Sequence, residues 1–216
     1  MNIHIYPAKN GVGSTTLGLA ITYWLSRHYR GRDGKPCLCL PDVLDAQDAF
    51  ATLGRNWHEP TDQLWGTLDA DDFFLAWGHP HNSSPTHSTN RVTVHTASVT
   101  AALTPKILDD QAINILVTTN NYVTLRRAMI PNVTFTTCYN LQQPTGVLSE
   151  RDVSNVLSPL LLNREVHHST NYEDIRRAID AGLFTSSVGR GHFSNILQFL
   201  MPLLIKPAFF AKEFTP

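Results

Sequence analysis

The fold of this chain is decided by Lys9-Asn10-Gly11-Val12-Gly13-Ser14-Thr15-Thr16, a glycine-rich stretch that follows a β-branched segment. The spacing is typical of a phosphate-binding loop, G-x-x-x-x-G-K-[ST], in which backbone N–H groups wrap phosphates, a lysine neutralises them and a hydroxyl holds Mg²⁺. Gly13 is the final glycine and Thr15 the hydroxyl, but Ser14 fills the lysine slot and Ala8 the first glycine slot. The alternative is a strand-to-helix turn that needs glycine only for its backbone geometry. Because the phosphate lysine is missing, the loop predicts nucleotide binding with a reduced capacity for hydrolysis.

The segments on either side of the loop favour the phosphate-binding interpretation. Residues 1–6 carry β-branched side chains, Ile3 and Ile5, as an opening strand would, and apolar residues recur at helical spacing after the loop. Those apolar positions are Leu17, Ala20, Ile21, Trp24 and Leu25. A strand, a glycine loop and a helix place an anion at the helix N-terminus, where unpaired N–H groups and the helix dipole favour it.

The length and charge of the chain limit its class. Its 216 residues suit one α/β domain, residues 1–216, with a sizeable core. Lysine plus arginine number 17 and aspartate plus glutamate 18, and the net charge of −1 argues against a strongly basic nucleic-acid surface. No stretch approaches the roughly 18 continuous apolar residues of a membrane helix. The N-terminus lacks the pattern of a signal peptide. We therefore expect a cytoplasmic protein without a membrane-spanning segment.

Cysteines and histidines give little sign of a metal site. Cys37 and Cys39 alternate with leucines, which favours a buried strand with cysteine as a small apolar residue over a zinc site. Other candidates fall in polar surroundings or in an adjacent pair, and we expect them to face solvent: His79, His81, His87, His167 and His168. A metal site at these histidines is the alternative.

Strand and helix patterns alternate along the rest of the chain. The predicted strands lie at residues 37–40, 91–97, 113–119 and 133–140. The predicted helices lie at residues 122–130, 150–162 with Ser149 as N-cap, and 172–182, with short helices inside 60–77. This alternation predicts a mostly parallel sheet with helices on both faces, a three-layer α/β fold.

The lysine at the start of the loop carries a resemblance to a known family. The sequence K-N-G-V-G-S-T-T is similar to K-G-G-V-G-K-T-T, the deviant Walker loop of the ParA/MinD group of P-loop ATPases, which begins with a lysine as Lys9 does. Weaker similarities point to the branch formed by the CpaE/TadZ proteins of Tad pilus assembly and the septum-site-determining-like proteins. They lie at residues 48–54, 68–77, 92–97, 115–128, 138–140 and 176–182.

This resemblance implies a P-loop NTPase-like fold and a set of nucleotide contacts. ATP or ADP with Mg²⁺ is the implied cofactor, with Thr15 on the metal and Asn140 matching the strand-end asparagine that contacts adenine in this superfamily. Lys9 would reach the phosphates of a partner in a nucleotide-sandwich dimer, or those of its own site. The branch's N-terminal receiver-like domain has no counterpart in the sequence. The implied nucleotide-binding residues are Lys9, Asn10, Gly11, Val12, Gly13, Ser14, Thr15, Thr16 and Asn140.

Several catalytic groups of the resembled family are displaced or missing. The family carries D-x-D after its second strand, where an aspartate helps to position the attacking water or Mg²⁺, but Pro41 and Val43 fill those slots here. Asp42 and Asp45 lie nearby and are weak catalytic candidates. The strand with the Walker B acid is not recognisable between residues 96 and 113, so we expect one strand of the sheet to have been deleted. Because such losses compound, appreciable ATPase activity is not expected.

Three functions fit this pattern. The leading hypothesis is a degenerate ParA/MinD-like homodimer that acts as a localisation or assembly factor for pilus, secretion or cell-division machinery, with ATP as a structural ligand. The second is a scaffold that binds no nucleotide. The third is an active partition or septum-positioning ATPase that uses Asp42 or Asp45.

Two further features bear on partners. The tail at residues 196–214 is strongly apolar but interrupted by prolines, which favours core packing or a dimer contact over peripheral contact with the inner face of the membrane. The arginine pairs at residues 126–127 and 176–177 are expected on solvated helix faces rather than in a nucleic-acid patch.

Overall fold

The computed structural model describes residues 2–28, 34–53, 66–69, 73–78, 92–97, 112–129, 134–143 and 145–169. Its strands are β1 (Asn2–Pro7), β2 (Cys37–Leu40), β3 (Gly66–Asp69), β4 (Phe74–Trp77), β5 (Thr93–Thr96), β6 (Ile113–Thr119), β7 (Thr137–Leu141) and β8 (Val166–Ser169). Its helices are α1 (Ser14–His28), α2 (Val43–Thr52), α3 (Tyr122–Ala128) and α4 (Glu150–Leu157), and a short 3-10 helix (Ser158–Leu160) follows α4. The predicted helix at 172–182, the apolar tail and the three histidines at positions 79, 81 and 87 lie outside the described residues.

These strands form one sheet in the order β3-β4-β2-β5-β1-β6-β7-β8. Every neighbouring pair is parallel except β3 and β4. β1 lies in the interior, between β5 and β6, and the parallel strands all end at one edge, which we call the carboxyl edge. Ligands of open parallel sheets bind outside this edge, and the glycine loop leaves β1 there. The predicted mostly parallel sheet is confirmed.

The two faces of the sheet carry separate apolar clusters. Ile3 and Ile5 on β1 belong to a cluster with side chains of α1 and α2. Tyr6, on the alternate face of the same strand, belongs to a cluster with side chains of α3 and α4. Successive side chains of a strand point to opposite faces, so β1 joins both clusters. Helices therefore cover both faces, which confirms the predicted three-layer α/β fold.

Gly18 sets the distance between α1 and the sheet. A Cβ atom at this position would lie 2.7 Å from Thr96 Oγ1 and 3.2 Å from Leu38 Cδ1. Close-packed interiors leave no room for such an approach, so glycine lets α1 pack directly on β5 and β2. This packing holds the N-terminal end of α1, and with it the glycine loop, at the carboxyl edge.

The prediction of short helices within residues 60–77 is wrong. β3 and β4 are strands that pair antiparallel, and β4 extends the sheet beside β2. Trp77 packs on Gly66, where a side chain would collide with its ring. A short continuous apolar run such as residues 73–77 has no period that separates a buried strand from a helix. The pairing of β4 with β2, which is a tertiary interaction, determines that this run forms a strand.

Two other local predictions, the cap of α4 and the burial of two cysteines, are confirmed. Ser149 caps α4, and a reciprocal capping box with Asp152 reinforces the cap. Cys37 and Cys39 are buried in β2, in agreement with the small-apolar interpretation. Within the described ranges, no group of three histidine, cysteine or carboxylate side chains is placed to hold a metal ion. None of the helices described above has the length and apolar character needed to cross a bilayer.

Candidate nucleotide-binding site

The glycine loop connects β1 to α1 with two residues in the left-handed backbone region. Gly11 has φ +76° and Gly13 has φ +87°, a conformation that side chains with a Cβ rarely adopt. Asn10 stands where the resembled loop has glycine, but it does not have a positive φ. The substitution at Asn10 therefore leaves the loop shape intact, and both remaining glycines lie where the backbone requires them.

The loop presents backbone N–H groups at the start of α1. The Leu17 N–H donates to the Gly13 carbonyl at 2.9 Å, and the N–H groups that precede it in the first turn of a helix have no partner within the helix. The first turn of α1 holds no acidic residue to compete for these groups. Aligned N–H groups and the helix dipole favour an anion such as phosphate at this position. Lys9 is exposed beside them and supplies the loop with one positive charge.

One carboxylate meets the loop directly. The Thr15 hydroxyl donates to Asp45 Oδ1 at 2.9 Å, from the first turn of α1 to the first turn of α2. Burial raises the pKa of Asp45 above its usual range; the Thr15 hydrogen bond opposes this shift, and the nearby charges of Asp42 and Asp48 add to it. The site thus holds a partly desolvated carboxylate next to the hydroxyl expected on the metal.

The structure separates the two weak catalytic candidates. Asp42 is the N-cap of α2, and its side chain accepts from the Asp45 N–H at 2.9 Å. Its carboxylate is used to begin a helix, as Asp commonly is. Asp45, three residues later, is the candidate that reaches the loop.

Thr15 and Asp45 fit a bound Mg²⁺. Magnesium prefers oxygen ligands and is usually held by one or two protein groups together with phosphates and water. A hydroxyl and a carboxylate 2.9 Å apart at a phosphate-type loop supply that donor set. A divalent cation would also offset the burial that disfavours the charged form of Asp45.

The sheet has no gap next to the loop, and the prediction of a deleted strand stays a prediction. β5 and β6 flank β1 on both sides without a gap, with Thr96 in register with Ile5, and the Ala8 N–H donates to the Val117 carbonyl at 2.9 Å. At the carboxyl edge β5 ends in Thr96 and Ala97, and β6 ends in Thr118, Thr119 and Asn120. None of these five residues is acidic. The described ends of the two strands beside the loop therefore supply no acid, and residues 98–111, where the missing strand was sought, lie outside the described residues.

The structure does not bring Asn140 to the loop. Asn140 is 0% exposed, and its Nδ2 lies 3.2 Å from His168 Nδ1. Its neighbour Leu141 is the residue of β7 that faces Gly13, with Cδ2 3.7 Å from where a Gly13 Cβ would lie. Because side chains alternate along a strand, Asn140 points to the other face. Its contact with adenine stays a prediction, and this geometry gives it no support.

The adjacent histidines differ from their predicted place in solvent. His167 and His168 lie on β8 and are partly buried. His168 Nε2 lies 2.9 Å from Ser154 Oγ of α4, so this ring joins β7 to α4 through hydrogen bonds. Burial lowers the pKa of His168, and the Glu150 charge partly offsets that shift. The polar character of the residues around these histidines did not indicate that they form a strand, β8, that pairs with β7.

Sequence reasoning missed Asn120, which fastens the segment after β7. Its Oδ1 accepts from the Gln143 N–H at 2.9 Å, and its Nδ2 donates to the Gln143 carbonyl at 3.3 Å. Its own carbonyl accepts from the Leu148 N–H at 3.4 Å, and Gly146 packs against its amide. The signal that could have identified Asn120 is its position as a polar residue directly after a buried parallel strand.

Comparison with known proteins supports the fold. No protein-family model and no curated protein matches the chain. The crystal structure of a ParA family ATPase from Chlorobium tepidum TLS is similar to it, with a TM-score of 0.53 over 92% of this chain and 98% of that chain, at 13% sequence identity. At this identity the likeness concerns the fold: the chain has the α/β architecture of that ParA family ATPase.

Proposed function

We propose that this chain is a ParA-like P-loop protein that binds ATP or ADP with Mg²⁺ at residues 9–16 and hydrolyses it little or not at all. The observation that carries the proposal is the 2.9 Å hydrogen bond between Thr15 and Asp45 at the N-terminus of α1. It supports the proposal because a hydroxyl and a carboxylate are oxygen groups of the kind that bind Mg²⁺, and the start of a helix favours phosphate.

The chain's own residues account for binding without turnover. The N–H groups of the loop and the dipole of α1 bind phosphate without a lysine. Thr15 and Asp45 would hold Mg²⁺, which when bound neutralises charge on the phosphate oxygens. Ser14 cannot supply the missing cation, a loss of about 2.7–4 kcal/mol at the transition state by analogy with oxyanion donors. β5 and β6 end without an acid near the loop, so no side chain of these strands orients water for attack.

The biological role we propose is localisation or assembly of a pilus, secretion or cell-division machine, as a homodimer. Its support is the resemblance to the CpaE/TadZ branch together with the exposure of Lys9, Leu44, Tyr122 and Val147 around the carboxyl edge. An exposed apolar rim around a charged loop suits contact with a second copy. Arg126 and Arg127 are exposed, as predicted for a solvated face, and the low net charge argues against nucleic acid as a partner. Peripheral membrane contact through residues 196–214 belongs to the same proposal.

A second candidate, a scaffold that binds no nucleotide, is favoured by one observation. The Thr15 hydroxyl and the Asp45 carboxylate satisfy each other directly, through the hydrogen bond between them. In that case the pair serves only to hold α1 against α2.

Calorimetric titration of the full chain with ATP, with and without Mg²⁺, separates the two candidates. We expect Mg²⁺ to strengthen ATP binding by roughly tenfold, about 1.4 kcal/mol, and Thr15→Val to abolish that gain. Thr16→Val is the matched control, because Thr16 has no bond with Asp45, and it should keep the magnesium dependence. Silence of the wild type at millimolar ATP would leave the scaffold as the answer. An unchanged magnesium dependence in Thr15→Val would overturn the assigned metal role.

A further inference from the structure

Three polar side chains form a hydrogen-bonded chain on the face of the sheet that α4 covers. Ser154 of α4 has its Oγ 2.9 Å from Nε2 of His168 on β8, and Nδ1 of that ring lies 3.2 Å from Nδ2 of Asn140 on β7. Asn140 and His168 are register partners, which places their side chains next to each other on one face. The proposed nucleotide function uses none of the three.

The order of these groups is that of an activated nucleophile. A serine hydroxyl becomes reactive when an imidazole nitrogen within hydrogen-bond reach takes its proton and a third group orients the ring; an amide serves as that third group in some enzymes. Ser154 and His168 are half-buried, whereas Asn140 is fully buried. The serine end of the chain is therefore the end that a small molecule can approach.

The amide of Asn140 fits both tautomers of the neutral ring. Its Oδ1 is buried and has no hydrogen-bond partner among the described residues. Half a turn of the amide would place Oδ1 against Nδ1 of His168, which would then carry the ring proton. Nε2 is free in that tautomer to accept the proton of the Ser154 hydroxyl, as a general base must.

The surroundings of His168 keep its ring neutral at neutral pH. Burial lowers the pKa of His168, and the Glu150 charge on α4 partly offsets that shift. On the same strand burial also lowers the pKa of His167, and on β7 burial raises the pKa of the Cys138 thiol, which stays uncharged. An unprotonated imidazole is the form that can accept a proton from Ser154.

A positive charge lies near Ser154 on the surface of α4. Arg151 precedes it by three residues and is exposed, and residues three apart are neighbours on a helix surface. Attack on a carbonyl group develops negative charge on its oxygen, which a nearby cation stabilises. The described groups thus include a nucleophile, a base and a cation, the set that acyl transfer from a carboxylic ester needs.

We propose that Ser154 is the nucleophile of an acyl-transfer site for small activated carboxylic esters, with His168 as its general base and Asn140 as the residue that positions the ring. The inference goes beyond the proposed nucleotide function and does not depend on it, because β8 lies three strands away from β1 and its glycine loop.

The reaction balances with groups of this chain and water. Ser154 Oγ forms a bond with the carbonyl carbon while its proton passes to Nε2 of His168. The bond between that carbon and the ester oxygen breaks, and the alcohol leaves with the proton from the ring. Water then attacks the acyl-serine with His168 again as base, which releases a carboxylic acid and restores the hydroxyl.

Labelling of the full chain with a fluorophosphonate tests the nucleophile. A reactive serine displaces fluoride from phosphorus and keeps the phosphonyl group, which mass spectrometry of peptides locates. We expect a label at Ser154 in the wild type and none at this position in Ser154→Ala. Ser158→Ala is the matched control, because Ser158 ends α4, is half-buried like Ser154 and takes no part in the His168 hydrogen bonds. It should be labelled at the wild-type rate.

The pH dependence of acylation tests the base. The rate of p-nitrophenolate release from p-nitrophenyl acetate should rise with pH and level off above the pKa of His168, because only the neutral ring accepts the serine proton. His168→Gln should lower this rate by about a hundredfold. His167→Gln is its control, since the adjacent side chain points to the other face of β8, and its rate should stay within about twofold of wild type.

Asn140→Asp tests the positioning role. A carboxylate at this position holds the proton on Nδ1 and raises the pKa of His168, so the midpoint of the pH profile should move upward. A side chain that only fills space would leave the midpoint where it is. An unchanged midpoint in the folded variant would therefore overturn the role of Asn140.

The outcomes separate this inference from the nucleotide function. A folded wild type that is not labelled at Ser154, or a Ser154→Ala variant that releases p-nitrophenolate as fast as wild type, overturns the site. A label at Ser154 whose rate changes neither with pH nor in His168→Gln overturns the assignment of the base. Failure to bind ATP would contradict the proposed function and leave these expectations unchanged.

Discussion

The two sides of the glycine loop, the β2 side and the β7 side, contain different polar groups. On the β2 side a single carboxylate, Asp45, bonds with Thr15, while the end of β5 carries no acid at all. On the β7 side a buried amide, Asn120, fastens an ordered loop through several hydrogen bonds. Among the described residues, the β2 side thus offers one carboxylate and the β7 side an amide and backbone groups. The difference teaches that, under the proposed function, binding and turnover would depend on separate groups of the carboxyl edge.

The largest effect is expected from a substitution that distorts the glycine loop, which both sides share. Gly13→Ala should destabilise the fold by roughly 1–2 kcal/mol, because φ +87° is left-handed, and should weaken ATP binding by about a hundredfold. Gly34→Ala is the control: Gly34 has φ +105° and no atom within 4 Å of its Cβ position. It should show a similar loss in thermal denaturation with unchanged ATP affinity. Equal ATP affinity in both variants would contradict a role for the loop.

On the β7 side, Asn140→Ala tests the predicted contact between Asn140 and adenine. We expect a loss of about 1–3 kcal/mol in the free energy of unfolding, because His168 loses a buried partner. ATP affinity should stay within about twofold of wild type. Chemical denaturation and a nucleotide titration on the same preparation measure both. A selective loss of ATP affinity in Asn140→Ala would support base recognition by Asn140.

On the β2 side, Asp45→Asn tests whether the carboxylate serves Mg²⁺ binding at a cost to the stability of the fold. The raised pKa means that the folded state binds the proton more tightly than the unfolded state, so stability falls as pH rises through the folded-state pKa. Asparagine resembles the protonated acid and should raise the melting temperature at pH 7, with the gain vanishing below the ordinary aspartate pKa of about 3.9. The roughly tenfold magnesium gain in ATP affinity should disappear.

Asp48→Asn, one turn further along α2 and exposed, is the control for this pair of measurements. It should keep the magnesium gain. A lower melting temperature for Asp45→Asn at pH 7 would show that the carboxylate stabilises the fold without a metal and would favour the scaffold.

The smallest effect is expected from restoring the missing lysine. Ser14→Lys should strengthen ATP binding by about threefold to tenfold through a charge-assisted contact with phosphate. Phosphate release should stay at background, because β5 still ends without an acid. Ser14→Met, of similar length and uncharged, is the control. Release above background in Ser14→Lys alone would show that the remaining groups are competent for hydrolysis.

The features that could be predicted from the sequence are those set by local pattern. Glycine spacing gave the loop, and the alternation of strand and helix patterns gave the parallel sheet and its two helical layers. β3 and β4 could not be predicted, because the apolar run at residues 73–77 suits either element and pairing with β2 decides. Asp42 and Asp45 could not be told apart either, since only the contact with Thr15 separates the helix cap from the site residue.

The features that escaped prediction depend on contacts between distant segments. The role of Asn120 depends on its hydrogen bonds with Gln143, 23 residues away. The role of His168 depends on its contacts with Ser154 and Asn140. Neither the periodicity of the sequence nor a motif indicates such contacts between distant residues. β5 was predicted as a strand within residues 91–97, but its pattern could not show that it pairs with β1.

The central claim is that this chain holds nucleotide without consuming it. The most direct measurement is calorimetric titration of the full chain with ATP and Mg²⁺, with phosphate release recorded on the same sample. We predict saturable, magnesium-dependent binding of one ATP per chain and phosphate release no faster than in a protein-free control. Absence of binding at millimolar ATP, or steady release that Asp45→Asn abolishes, would contradict the account.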